Sequence, residues 1–170
     1  NGDASLVVRV VEMMKHGGIL RAEVMSSSGL ATASSLARFF SILALGGALD
    51  GRRLVSEESV RRWSEPTITA GDLTVTGSLP NALVKSGKLE KTTAVTRTLG
   101  YLYNDKPAKL PRWFGPTPSA IGGLGAGGQV GWSDPVRRVS GAFIRNAMVH
   151  KPDLSNEVIA AFYNCLDQQA

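Results

Sequence analysis

The chain has 170 residues, of which 43% are hydrophobic, and it carries 19 lysines and arginines against 14 aspartates and glutamates. Such a length suits one domain with a substantial core, and the composition excludes a disordered chain. The net charge of +5 comes from basic residues scattered along the sequence, without a block of like charges, and we expect no nucleic-acid partner.

The scarcity of cysteine and histidine limits the chemistry further. Cys165 is the single cysteine, so no disulfide within the chain is available. His16 and His150 have no spacing to Cys165 that suits a zinc site, and we expect neither a metal nor another cofactor. The apolar runs are too short to span a membrane, and no signal peptide is recognisable. These features favour an intracellular location without fixing the compartment.

Three helices are expected in the first part of the chain and one at its end. Residues 6–14 suit a helix or a strand, with their length favouring a helix. Ser34 or Ser35 is expected to cap a helix that runs to about Ala44, where two glycines end it. Ser56 caps the next helix, which ends before a proline. Ser155 is the candidate cap of the last helix. The positions expected to be buried in the helix that ends near Ala44 are Leu36, Phe39, Phe40, Leu43 and Ala44, and those in the last helix are Val158, Ile159, Phe162 and Leu166.

Strands are expected in the second half. Residues 67–96 are weakly patterned and predict irregular structure with short elements, and residues 98–103 predict a strand. A loop with four prolines covers 104–120. Residues 129–133 and 138–146 then predict a hairpin turning at Asp134-Pro135. This order indicates an α+β fold, with an antiparallel sheet flanked by helices. We expect one domain over 1–170, helical at about 5–66 and with its sheet at about 97–170.

The glycine run at residues 122–135 (GGLGAGGQVGWSDP) is the most informative segment. Gly123, Gly125 and Gly128 match the spacing of a dinucleotide-binding motif, but that motif requires a helix after the glycines, and here a strand is predicted. One interpretation is structural, since glycines allow two elements to pack closely. The other is that the bare backbone borders a ligand.

Two weaker motifs also carry hydroxyl groups. Residues 85–87 (KSG) match the lysine-Ser/Thr-glycine triplet of penicillin-recognising enzymes, although three residues match often by chance and the neighbouring lysines suggest a solvated surface. Residues 26–28 are serines without a base nearby in sequence, and loop or capping roles are the simpler interpretation. The tryptophans Trp63, Trp113 and Trp132 are isolated and are expected to be buried or half-buried.

Two segments together resemble the serine β-lactamase and penicillin-binding-protein family, in its class C and esterase-type branch. The first is 20–39 (LRAEVMSSSGLATASSLARF) followed by 46–56 (GGALDGRRLVS), and the second is the glycine run. The resemblance extends from about Leu20 to the end and implies the C-terminal portion of a β-lactamase/transpeptidase-like fold. It further implies acyl transfer through a serine nucleophile, with the glycine strand lining the acyl site.

The chain departs from that family at the catalytic motifs. No lysine has a serine three positions before it, and no tyrosine has an asparagine two positions after it. Both motifs precede Leu20 in the family, so we expect the chain to be part of a longer serine hydrolase and to have no catalytic residue of its own. Gly123 stands where the family carries a basic side chain.

The resemblance implies Gly123, Leu124, Gly125 and Ala126 as substrate-binding residues for a small acyl compound in the parent protein. The alternative function is a non-catalytic binding or scaffold domain that keeps the hydrolase fold, which the glycine at position 123 favours. Strands absent from the chain would leave a sheet edge uncovered, and we expect self-association through that edge.

Overall fold

The computed structural model describes residues 21–22, 29–71, 94–105, 112–125, 128–146 and 153–168. The chain divides into two compact units, Asn1–Ala31 and Thr32–Ala170, and every element named below lies in the second. Several sequence-based expectations lie outside the described residues. They concern the helix at 6–14, the serines at 26–28, the triplet at 85–87, His16 and His150.

The first described helix, α1, covers Ala33–Ala44. Its N-cap is Thr32, whose side-chain oxygen accepts a hydrogen bond from the backbone amide of Ser35 at 3.1 Å, so the expected caps Ser34 and Ser35 were wrong. Of the expected apolar stripe, Phe40 is buried, but Phe39 is 48% exposed. The stripe is therefore narrower than the sequence pattern predicts.

A short hairpin and a second helix follow. Strands β1 (Ala48–Leu49) and β2 (Arg52–Arg53) pair across Asp50-Gly51, both of which have positive φ. Helix α2 (Glu57–Ser64) is capped by Ser56, as predicted. Glu58 pairs with Arg61 one turn later, at 2.7 Å, and this contact lowers the pKa of the Glu58 carboxyl.

In the part of the chain that the structure describes, the main sheet has six antiparallel strands, and each neighbours the next of these in sequence. This meander confirms the α+β expectation and is closed by a final helix, α3 (Asp153–Gln168). The strands are β3 (Ile68–Gly71), β4 (Ala94–Arg97), β5 (Leu102–Tyr103), β6 (Ile121–Gly125), β7 (Gln129–Asp134) and β8 (Val139–Phe143).

Of the strand expected over residues 98–103, only Leu102–Tyr103 is confirmed, as β5, because a tight turn occupies residues 98–101. Thr98 donates its backbone amide to the Tyr101 carbonyl at 3.0 Å, and Gly100 has a φ of +115° that other residues rarely adopt. The sheet also starts earlier than expected, since β3 and most of β4 precede residue 97. The predicted hairpin is confirmed, although its second strand ends at Phe143 instead of Asn146.

Two hydrophobic cores lie on opposite faces of the sheet. On the α1 face, Phe40, Leu43 and Val60 pack with Ile121. On the other face, α3 contributes Ile159 and Tyr163 to a cluster with sheet and loop residues. Ser155 lies inside α3 rather than at its cap, and Val158 is 37% exposed, so both expectations were wrong. Trp113 and Trp132 are buried as expected, whereas Trp63 is 37% exposed.

Two buried polar side chains fix the loops around the sheet. Asn104 donates to the carbonyl oxygens of Gly115 and Thr117 at 2.9 and 2.8 Å, and it accepts from the Phe114 amide at 2.9 Å. Asp134 accepts from the hydroxyls of Thr117 (2.5 Å) and Tyr163 (3.1 Å). The described part of the proline-containing loop is therefore tied to β5, β7 and α3 at once.

Candidate active-site strand

Strand β6 lies between β5 and β7, and its exposure increases along its length. Ile121 and Gly122 are buried, Gly123 is half-buried, and Leu124 and Gly125 are exposed, with Leu124 at 47%. The strand thus starts in the core and emerges at the surface over three residues. Three of the four predicted site residues lie at this emerging end, and the fourth, Ala126, lies outside the described residues.

Packing accounts for three glycines of the β6–β8 region. A Cβ atom at Gly122 would lie 2.5 Å from the Gly131 carbonyl oxygen and 2.7 Å from the Phe114 ring. A Cβ at Gly131 would overlap the Phe40 ring, and one at Gly141 would overlap the Trp132 indole. Aromatic side chains from both layers therefore lie directly on the sheet, and the structural interpretation of the glycine run holds at these three positions.

Gly123 is different, since no described atom lies within 4 Å of a Cβ built at this position. It pairs with Gly131 on β7, so the two residues share the α1 face of the sheet. Phe40 and Leu36 of α1 cover Gly131, whereas the position above Gly123 is open among the described residues. Among the described residues, therefore, nothing requires glycine at position 123, and none of them fills the space where a side chain or a ligand group would lie against the strand.

The turn that connects β6 to β7 accounts for the glycine at position 128. Its φ is +86°, and its amide donates to the Gly125 carbonyl at 3.2 Å. Strand β7 follows at once, as predicted. Because the element that follows the glycines is a strand and not a helix, the resemblance to a dinucleotide-binding motif has no support among the described residues.

Tyr101 is a further candidate site residue, which the sequence argument missed. Leu102 of β5 pairs with Gly122 of β6. The next residue beyond this pair is Gly123 on β6, and on the β5 side it is Tyr101, which immediately precedes β5. The Tyr101 ring packs against the α1-face core, with its centroid 5.8 Å from that of Phe40. It therefore lies on the face onto which Gly123 opens.

The turn before β5 holds Tyr101 in place. Its backbone amide donates to the Thr98 hydroxyl at 3.3 Å, and its carbonyl accepts from the Thr98 amide. Burial raises the pKa of the Tyr101 phenol, which therefore stays a hydrogen-bond donor at neutral pH. The Thr98-x-Gly100 pattern is a turn signal that points to this position.

The described site offers backbone groups, a phenol donor and an apolar strand end, but no paired nucleophile and base. Among the described residues, no cluster of three or more histidine, cysteine, aspartate or glutamate side chains is arranged to hold a metal ion. In the same part of the chain, no helix combines the length and apolarity needed to cross a bilayer. A shallow depression near Arg38, Asp50 and Arg52 includes no residue of β6 among its lining.

The antiparallel α+β fold with flanking helices matches solved structures of β-lactamase and penicillin-binding-protein-like proteins. No family model matches the chain. It is 28% identical over 140 residues to the esterase/β-lactamase LipL of Mycobacterium tuberculosis, an alignment that covers 77% of this chain and 25% of LipL.

Two solved structures agree with this similarity. A penicillin-binding protein homolog from Caulobacter crescentus superposes with a TM-score of 0.59 at 30% identity, covering 79% of this chain and 32% of that one. A family VIII carboxylesterase superposes with a TM-score of 0.57 at 22% identity and shares the fold, covering 76% of this chain and 30% of that one. The chain is therefore similar to β-lactamase and penicillin-binding-protein-like proteins over most of its own length, and it spans a quarter to a third of theirs.

Proposed function

We propose that this chain supplies the C-terminal part of a serine hydrolase that cleaves an ester, amide or lactam through an acyl-enzyme. The observation that carries the proposal is the emergence of β6 at Gly123, beside open space on the α1 face. The similarity to an esterase/β-lactamase supports it. The nucleophilic serine is then contributed by residues outside this sequence, which contains no serine three positions before a lysine.

In this proposal, Gly123, Leu124, Gly125 and Ala126 border the acyl group of a small-molecule substrate. A backbone amide near Gly123 donates a hydrogen bond to the oxygen on which negative charge develops when the serine attacks. Such a donor is effective because a strand within a packed sheet is already fixed before the reaction. Leu124, at 47% exposure, presents an apolar surface to an acyl chain.

Turnover of nitrocefin and p-nitrophenyl butyrate tests the proposed function. We expect no turnover by the 170-residue chain, and we expect turnover by the longest polypeptide from the same gene that contains it. Clear turnover by the 170-residue chain would contradict the assignment of the nucleophile to another segment. No turnover of esters, amides or lactams by the longer polypeptide would contradict the hydrolase itself.

A second candidate is a non-catalytic binding or scaffold domain that retains the hydrolase fold. It is favoured by one observation: no described atom lies within 4 Å of a Cβ built at position 123, where the family resemblance implies a basic side chain, yet this position holds glycine. A Ser-x-x-Lys motif and a Tyr-x-Asn motif upstream of residue 1 would favour the enzyme. Their absence from the complete gene product would favour the scaffold.

We also propose self-association through a sheet edge. Among the described strands, β3 and β8 are outermost, so each has one side without a described strand partner. An uncovered strand offers backbone donors and acceptors to another copy of the chain. Sedimentation velocity over a hundredfold concentration range should show dimers or larger species, whereas a monomer at every concentration would contradict the proposal.

A further inference from the structure

The space above Gly123 and the phenol of Tyr101 belong to the same face of the sheet. Both residues lie one position beyond the Leu102–Gly122 pair, and Tyr101 packs on Phe40, the residue that covers Gly131. Leu102 and Gly122 are the chain neighbours of Tyr101 and Gly123. They face the opposite side of the sheet, where Leu102 and Phe114 are buried.

The Tyr101 hydroxyl has unused hydrogen-bonding capacity. Within the described residues it has no hydrogen-bond partner, and it is not among the fully buried polar atoms. Its ring is held by the Phe40 contact and its backbone by two hydrogen bonds to Thr98. The donor is therefore fixed in place at low further cost in conformational entropy.

We infer that Tyr101 is a substrate-contacting residue whose hydroxyl donates a hydrogen bond to the carbonyl group of an acyl compound lying over Gly123. This inference rests on the proposed function and deepens it, because it assigns a polar contact on the side of the strand where position 123 has no side chain. The ligand class is an uncharged ester or amide with a short acyl chain: the phenol is a neutral donor, and the neighbouring strand end, at Leu124, is apolar.

Binding of 4-nitrobutyranilide, the amide analogue of p-nitrophenyl butyrate, tests the inference on the 170-residue chain. The probe should shift the backbone amide resonances of Gly123 and Gly125 saturably in a ¹H–¹⁵N titration. Tyr101→Phe retains the ring contact with Phe40 but removes the donor, and it should raise the Kd about fivefold. Gly123→Val should fill the space and abolish the shifts.

Tyr103→Phe is the matched control, since Tyr103 is another partly buried tyrosine packed on the α1-face core. It should leave the Kd unchanged. A second readout separates a binding role from a structural one: the probe should move the alkaline titration of the Tyr101 phenol to higher pH, because a donated hydrogen bond stabilises the protonated form.

Equal Kd values for wild type and Tyr101→Phe would overturn the inference, as would the absence of saturable shifts in the wild type. These failures are distinguishable from failure of the proposed function, which is judged by hydrolysis in the longer polypeptide. An active longer polypeptide together with an unchanged Kd in Tyr101→Phe refutes the tyrosine contact alone. An inactive longer polypeptide together with Tyr101-dependent binding refutes the hydrolase alone.

Discussion

The Trp132 indole lies directly against Gly141 on the neighbouring strand, so closely that a methyl group at position 141 would overlap the ring. The two residues are paired across β7 and β8, and Trp132 is only 3% exposed. The indole also makes an edge contact with Phe162 of α3, with centroids 5.8 Å apart. It therefore has little freedom to move away from a larger residue at 141.

Gly141→Ala should for this reason destabilise the protein by about 2 kcal/mol or more, as expected when a packed core is overfilled. Urea unfolding measures the change. The matched control is Gly123→Ala, where a methyl group meets no described atom within 4 Å. This control should leave stability unchanged or raise it by about 0.5 kcal/mol, through the lower entropy of the unfolded chain. Equal losses for the two variants would contradict the distinction between packed and open glycines.

Asn104→Ala should destabilise the protein by about 3 kcal/mol. The substitution leaves the Phe114 amide and the carbonyls of Gly115 and Thr117 without their partner, and buried backbone groups without a hydrogen bond cost about 1–3 kcal/mol each. Unfolding in urea provides the measurement. Asn146→Ala, at an exposed asparagine, is the control and should change stability by less than about 0.5 kcal/mol. A small loss at position 104 would show that the loop does not depend on this side chain.

Tyr163 should make the protein sensitive to alkaline pH. Burial, and then the charge of Asp134, raise the pKa of its phenol above the usual value. The unfolded chain therefore loses this proton at lower pH than the folded protein does. The stabilising contribution is complete below about pH 10, the usual tyrosine pKa, and is lost as the pH rises further.

Tyr163→Phe tests this contribution. At pH 8 the variant should be less stable by about 1–2 kcal/mol, because Asp134 loses one of its donors. As the pH rises above about 10, the difference in the free energy of unfolding between wild type and variant should become smaller. Tyr101 also has a raised pKa, but it is present in both proteins and cancels in the difference. A gap that is constant with pH would contradict the assignment.

The helix caps provide a fourth prediction. Thr32→Ala and Ser56→Ala each remove a side-chain acceptor for a backbone amide, of Ser35 and Ser59 respectively, and each should cost about 1 kcal/mol in thermal or urea unfolding. Ser34→Ala is the control, since Ser34 lies inside the first turn of α1. It should be neutral or slightly stabilising. A larger loss at Ser34 than at Thr32 would contradict the observed cap.

Local signals in the sequence were sufficient for some elements. Ser56 with its following glutamates predicted α2, and Asp50-Gly51 predicted a turn, because caps and tight turns depend on residues close in sequence. The choice of Thr32 over Ser34 and Ser35 was missed, since all three can accept the same kind of hydrogen bond. The interruption at Thr98–Tyr101 was missed because an apolar strand pattern continues through it, while Gly100 and the Thr98 side chain redirect the backbone.

The site was only partly predictable for a related reason. The glycine run marked β6, but sequence alone does not separate glycines required by Phe40, Phe114 or Trp132 from Gly123, where an added Cβ meets none of the described atoms within 4 Å. That distinction depends on long-range contacts across the sheet. The neighbouring position of Tyr101 depends in the same way on strand register, which follows from the turn at Gly100 rather than from any motif in the glycine segment.

The contrast between Gly123 and its glycine neighbours has a consequence for how this protein can change over time. Substitutions at 131 or 141 disturb the packing of Phe40 or Trp132 on the sheet, so selection for stability removes them whatever side chain they introduce. At position 123 no described atom lies within 4 Å of an added Cβ, so a single-codon replacement there places a new functional group beside the emerging strand at little cost in packing against the described residues. The side-chain chemistry of this strand end is thus freer to vary than the architecture beneath it.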